Sequence, residues 1–127
     1  MKKSSIAIAI VGYGKMGRVL EQAAQESGVG VAAVVGKTPD ADVYAELSAI
    51  DAPFDCLIDF SHHSNLEKIL QYAFTHQKPL VICTTGFNAP QEAQIRTAAK
   101  KLPVVFSQNM SVGVNVMLSA VRHMSAA

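Results

Sequence analysis

Apolar residues along this chain fall into two alternating patterns: short unbroken runs, and stripes at helical spacing. Residues 6–11 are apolar throughout, as a strand buried on both faces of a sheet requires. Met16, Val19, Leu20, Ala23 and Ala24 then recur at i, i+3, i+4, i+7 and i+8, a helical stripe that stops at Ser27-Gly28. Residues 29–35 predict a second strand, followed by the turn-rich Gly36-Lys37-Thr38-Pro39-Asp40. A short amphipathic piece around Val43 and Leu47 reads as helical. Residues 55–60 predict a third strand. Ser64-x-x-Glu67 is a capping-box pattern, and the helix it opens carries Leu66, Ile69, Leu70, Ala73 and Phe74 on one face. Residues 79–83 form a fourth run, entered through Pro79. Asn88 and Gln91 form a second capping pattern, ahead of a helix with Ile95, Ala98 and Ala99 inward. Residues 103–107 predict a fifth strand. A last helix begins near Ser111, and its stripe is Val116, Met117, Ala120, Val121 and Met124. If that stripe has only part of its packing partner, it promotes association.

Strands alternating with helices at this spacing imply right-handed βαβ units, hence an α/β fold: one doubly wound parallel sheet in a single domain over residues 1–127. Ligands of such sheets sit beyond the carboxyl ends of the strands, so functional residues are expected just after Val11, Val35, Phe60, Cys83 and Ser107. Composition agrees. The 127 residues suit one domain, and with 50% apolar but only 6% aromatic residues the core is aliphatic. A net charge of +1 gives no reason to expect nucleic acid or a membrane surface as partner. No apolar run reaches the roughly 18 residues of a membrane span. Cys56 and Cys83 fall near opposite edges of the predicted sheet, too far apart for a disulfide, and reduced thiols suit a cytoplasmic protein.

The most informative short motif is Gly12-Tyr13-Gly14-Lys15-Met16-Gly17, a G-x-G-x-x-G placed after a strand and opening a helix. The first glycine permits a tight turn, the second lets backbone approach a pyrophosphate, and the third lets the helix pack against the strand. Free amides and the positive helix end would meet the anion, with Lys15 beside it. This is a Rossmann-type signature for NAD or NADP. A ribose-binding acid is expected about 20 residues further on, yet that position holds Gly36-Lys37, and no acid occurs until Asp40. Without an acid to repel a 2′-phosphate, and with Lys37 able to pair with it, NADPH is the expected cofactor and NADH the lesser one.

Beyond the glycine loop, Thr84-Thr85-Gly86-Phe87 and Phe106-Ser107-Gln108-Asn109-Met110-Ser111-Val112-Gly113-Val114-Asn115 resemble motifs of the dihydrodipicolinate reductase family, as do Ile58-Asp59-Phe60-Ser61 and the glycine loop itself. The resemblance runs through the whole chain in order. It implies that Gly12, Gly14, Lys15, Met16 and Gly17 hold the pyrophosphate and that Phe60 and Ser61 lie along the adenosine and nicotinamide ribose. It also implies that Cys83, Thr84 and Thr85 line the nicotinamide site, and that Ser107, Gln108, Asn109 and Met110 bind the carboxamide through backbone groups. The family's general acid, in a His-His-x-x-x-Lys segment, and its Ser-Gly-Thr loop for a cyclic dicarboxylate substrate belong to a second domain. Neither occurs here, so no catalytic residue is expected in this chain, which should bind cofactor without turning over substrate. The resemblance also implies a role in diaminopimelate and lysine biosynthesis, while the apolar stripe of the last helix predicts a homo-oligomer.

His62-His63, with Lys68 nearby, is a tempting substitute for the missing acid but reads as a solvated loop, and no further ligands nearby suggest a metal. His76 and His123 have no expected role. Two other readings compete: the first domain of a Gfo/Idh/MocA-type sugar oxidoreductase, suggested by Gln77-Lys78-Pro79, and a stand-alone dinucleotide-sensing module.

Overall fold

The computed structural model describes residues 6–37, 42–107 and 112–125, and within the last stretch the side chains of 116, 117, 119–121, 123 and 124. The chain builds β1 (Ala7–Val11), α1 (Lys15–Glu26), β2 (Gly30–Val35), β3 (Cys56–Asp59), α2 (Leu66–His76), β4 (Leu80–Ile82), α3 (Ala89–Ala98), β5 (Val104–Phe106) and α4 (Val112–Ser125). Single 3-10 turns at Leu47–Ala49 and His63–Asn65 precede β3 and α2. All strand pairs are parallel, in the order β2-β1-β3-β4-β5. The chain therefore winds outward from β1 to β2, returns past β1, and winds outward again on the other side. The switch between β1 and β3 opens a crevice at their carboxyl ends.

Every expected strand is present, one residue shorter at one or both ends. The pairing outlasts the pleat: Phe60 N–H donates to the Val11 carbonyl at 2.8 Å and Cys83 N–H to the Asp59 carbonyl at 2.9 Å, although both donors lie beyond their strands. The five apolar runs thus define the ladder, while their last residues bend into the loops.

One face of the sheet is well covered. Ala9, Val11, Leu57, Leu80 and Ile82 pack there against Leu66, Ile69 and Ala73 of α2 and Ile95 and Ala98 of α3. The inward faces expected of these two helices are thus present, except that Ala99 is exposed. The opposite face carries a cross-strand row, Val34–Ile10–Ile58–Val81–Val105. Helix α1 packs mainly over β1 and β2. Exposure along the row rises accordingly, from 0% at Ile10 to 58% at Val105. On α4, Val116, Met117, Val121 and Met124 are all more than half exposed.

Three local expectations need correction. The α1 stripe is rotated: Gly17 and Ala24 face the sheet and Leu20 is half-buried, while Ala23 is exposed and Met16 and Val19 are each 52% exposed. The cause is the contact of Gly17 with the loop before it, described below, which fixes the helix phase irrespective of which side chains are most apolar. The helical piece around Val43 and Leu47 is only the 3-10 turn Leu47–Ala49, with Tyr44 bridging to Val35 as an extra sheet contact. The Ser64–Glu67 capping box does not form, because Ser64 is inside the His63–Asn65 turn and its N–H donates to Nδ1 of His62 at 3.2 Å. The Asn88–Gln91 box does form, with reciprocal bonds of 2.9 and 3.0 Å. Cys56 and Cys83 are unpaired. Thr38, Pro39 and Asp40 lie outside the described residues.

Ile69→Ala, at a site with no exposure, should lower the unfolding free energy by about 2–5 kcal/mol in urea titration. Val105→Ala, on the open end of the other face, should change it by less than about 0.5 kcal/mol.

Candidate functional site

The β1–α1 turn is built by close backbone contact. Gly12 has φ +97°, and a Cβ there would stand 2.5 Å from the Phe60 carbonyl oxygen. A Cβ on Gly17 would stand 2.0 Å from the Gly12 carbonyl oxygen. Glycine is required at both points, and the two contacts tie the head of α1 to the ends of β1 and β3. At Gly14 the added Cβ would meet nothing within 4 Å. The space before α1 is therefore open, the helix has no side-chain cap at Gly14, and its first turn carries no acidic residue. An uncapped, acid-free helix end behind a glycine is suited to an anion.

A cavity of about 810 Å³ spreads from this turn. Gly12, Gly14, Lys37, Phe60 and Ser61 all line it, so the structure brings together expected residues from three strand ends. Gly36 is hemmed in as well: a Cβ would come within 3.0 Å of Tyr13 Cβ and 3.3 Å of Val43 Cγ1, a packing reason for the missing acid. Tyr13 is anchored by its hydroxyl, which donates to Glu21 Oε2 at 2.6 Å, and the Arg18 guanidinium sits 4.3 Å from its ring centre. Arg18 and Lys37 thus place two cations at the β2 side of the cavity. Lys15 and Met16 open α1, exposed and outside the cavity lining. Thr84 is buried, Cys83 and Ser107 are half-buried and Thr85 is exposed, all at the same edge of the sheet. Gln108, Asn109 and Met110 lie outside the described residues.

Asp59, at the end of β3, is fully buried. Its Oδ1 accepts both the Ser61 N–H at 2.9 Å and the Ser61 hydroxyl at 2.6 Å. Its carbonyl accepts the Cys83 N–H at 2.9 Å and the Thr84 hydroxyl at 3.5 Å. Oδ2 has no partner among the described residues. Burial pushes this carboxyl above the ordinary 3.8, against the opposing pull of the Ser61 and Thr84 donors. Burial, and then the neighbouring Asp59 charge, push the Cys83 thiol up to about 11. Burial also raises Cys56, with Asp55 adding to it.

The histidine pair is less detached than a solvated loop. His62 lines the cavity, the two rings lie 4.0 Å apart, and the His63 carbonyl accepts from Gln91 Nε2 at 3.0 Å, tying the loop to α3. Lys68, Tyr72 and His76 extend the lining along α2. His123 Nδ1 lies 3.0 Å from the Ser119 carbonyl in its own helix. Among the described residues, no three His, Cys, Asp or Glu side chains could share a metal ion, and no helix is long and apolar enough to cross a membrane. Sequence reasoning missed Arg18 and the α2 wall, which follow no motif, and Tyr13, which occupies an unspecified position of the glycine motif. It also gave Asp59 no role, although an acid between Ile58 and Phe60 in an apolar run was a visible signal.

Five parallel strands, a switch point between β1 and β3, and a glycine turn opening a helix there define a Rossmann-type α/β domain. The N-terminal sequence model of dihydrodipicolinate reductase matches residues 6–110, and the chain belongs to that family. Among curated relatives, the 4-hydroxy-tetrahydrodipicolinate reductase of an Exiguobacterium species is 39% identical over 111 residues, covering 87% of this chain and 44% of that protein. The enzyme of that name from Zymomonas mobilis is 32% identical over 127 residues, covering 98% and 50%. The chain thus spans about half the length of the relatives it matches. Among solved structures, an Agrobacterium radiobacter oxidoreductase in complex with NAD+, L-tartaric acid and magnesium superposes with TM-score 0.66 at 19% identity, over 80% of this chain and 34% of the other. Apo scyllo-inositol dehydrogenase from Lactobacillus casei does so with TM-score 0.68 at 15% identity, over 83% and 37%. These two likenesses concern the fold alone. The family match displaces the sugar-oxidoreductase reading.

Because the folded pKa of Asp59 lies above its unfolded value, the folded state holds the proton more tightly there, and this group's effect on stability becomes less favourable as pH rises above 3.8. Asp59→Asn should therefore keep or raise the melting temperature at pH 7. It should also remove part of the decline between acid and neutral pH, read by calorimetry across that range.

Proposed function

We propose that this chain is the NAD(P)H-binding domain, a single domain over residues 1–127, of a 4-hydroxy-tetrahydrodipicolinate reductase acting in diaminopimelate and lysine biosynthesis. The observation that carries the reading is the one cavity in which the Gly12-Tyr13-Gly14 turn, Lys37, and Phe60 with Ser61 meet, in a chain of this family. Gly12, Gly14 and Gly17 shape the turn so that the first amides of α1, from Lys15 and Met16 onward, meet a pyrophosphate. Lys37, with Arg18 braced on Tyr13, supplies positive charge for a 2′-phosphate, which favours NADPH over NADH. Phe60 and Ser61 border the sugar. Cys83, Thr84 and Thr85 then flank the nicotinamide, and Ser107, Gln108, Asn109 and Met110 its carboxamide.

The bound cofactor supplies a hydride. The chain's own contribution is orientation and exclusion of competing charge. With its pKa near 11, Cys83 is a neutral thiol at physiological pH and brings no anion to the redox ring. A cyclic dicarboxylate substrate also needs a proton donor and a grip on two carboxylates. The family places both outside the half that this chain spans, so binding without turnover is the expected behaviour of the 127 residues.

Calorimetric titration should give tighter binding of NADPH than NADH by about 10- to 150-fold, the worth of a charge-assisted contact. Lys37→Ala should erase most of the difference, and Gly14→Ala should weaken both ligands while costing about 1 kcal/mol of stability or less. Equal or tighter NADH binding overturns the preference. With hydroxy-tetrahydrodipicolinate, NADPH absorbance should fall at the background rate, since a missing general acid alone removes about 10²- to 10⁴-fold. Clear turnover overturns the division of labour.

A further inference from the structure

We infer that Asp59 is a positioning residue of the cofactor site: it draws the Ser61 proton inward, so that the Ser61 hydroxyl turns only lone pairs toward the cavity and accepts a hydroxyl of the nicotinamide ribose there. The inference rests on the dinucleotide reading above and deepens it by assigning a hydrogen-bond polarity to one wall. A serine hydroxyl has one proton to give. Here it goes to Asp59 Oδ1 at 2.6 Å, within the short range of charge-assisted bonds. The Ser61 N–H goes to the same oxygen, so both of the residue's donors are held away from a ligand. Ser61 nevertheless lines the cavity, where its oxygen retains only acceptor capacity. An acceptor attracts a sugar hydroxyl and repels a phosphate oxygen.

The walls thus divide the ligand: amides at the head of α1 for phosphate, and Ser61 Oγ for sugar. Asp59 has no packing reason to be ionisable. It is fully buried, one of its oxygens lacks a partner among the described residues, and its burial disfavours the charge that strengthens the Ser61 bonds. A residue held only for stability would gain from becoming neutral. Through its carbonyl, Asp59 also holds Cys83 N–H and Thr84, so the same residue joins the ends of β3 and β4 beneath the cavity.

The test is a double-mutant cycle with two probes: NADPH, and 2′,5′-ADP, which carries only the adenosine half. Ser61→Ala should weaken NADPH about tenfold, the loss of a hydrogen bond to a sugar, and leave 2′,5′-ADP within about twofold. Asp59→Asn keeps an acceptor but loses the charge, and should weaken NADPH about threefold when Ser61 is present and not at all in the Ser61→Ala background. Its melting temperature should equal or exceed that of the unsubstituted chain, so a folding defect cannot produce the pattern. Additive losses in the double variant, parallel losses for both probes, or an unchanged NADPH affinity in Asp59→Asn overturns the inference and leaves the dinucleotide reading standing. Failure of the unsubstituted chain to bind NADPH overturns both.

Discussion

Three backbone segments meet at the head of α1, and the meeting is possible only because two of the contacting residues lack a Cβ. Gly17 lies on the carbonyl of Gly12, and Gly12 on the carbonyl of Phe60. A methyl group at either point would overlap a main-chain atom, which cannot swing aside as a side chain can. These contacts determine the rotation of α1, which side chains it buries, and how closely the ends of β1 and β3 approach. The cavity follows from that approach, and so does the exposure of Met16 and Val19, two large apolar side chains that the helix would bury if its own hydrophobicity set its phase.

Around that junction the site separates charges by distance from water. Cations on flexible stems, Arg18 and Lys37, stand at the rim, where mobility and solvent cost little. The acid at Asp59 is inside, held to a neighbouring turn by two donors from one residue. Under the proposed function, the rim charges would select the ligand, whereas the buried acid would set the geometry of what the ligand touches. The half-buried Cys83 beside it stays a thiol for the same reason that Asp59 is costly: low dielectric disfavours either anion, and each disfavours the other.

The order and type of elements were legible because little besides a buried strand produces an unbroken aliphatic run, and little besides a packed helix a 3.6-residue stripe. The site's location followed from the topology of a parallel sheet. The Asn88–Gln91 box was readable because both partners are local. Its counterpart at Ser64 was not: His62, two residues earlier, offers a ring nitrogen that captures the Ser64 amide and turns the chain before the helix begins. The phase of α1 was misread because the stripe template weighs apolar size, and glycine has none. Lys37 and Ser61, singled out by spacing and by resemblance, line one cavity. Arg18 and Tyr13 did not stand out, since a stacked pair five residues apart leaves no pattern until the turn brings the two together.

The uneven cover of the sheet has a consequence for motion. Ile10 lies beneath α1, and Val105, at the far end of the same row, meets solvent. Opening β5 exposes little new apolar surface on that side, whereas opening β1 exposes it on both. Backbone amides should accordingly form a ladder of protection that is slowest to exchange in β1 and β3 and fastest at β5. Strand β5 would then be the pliant edge of the sheet, and the glycine junction its fixed one.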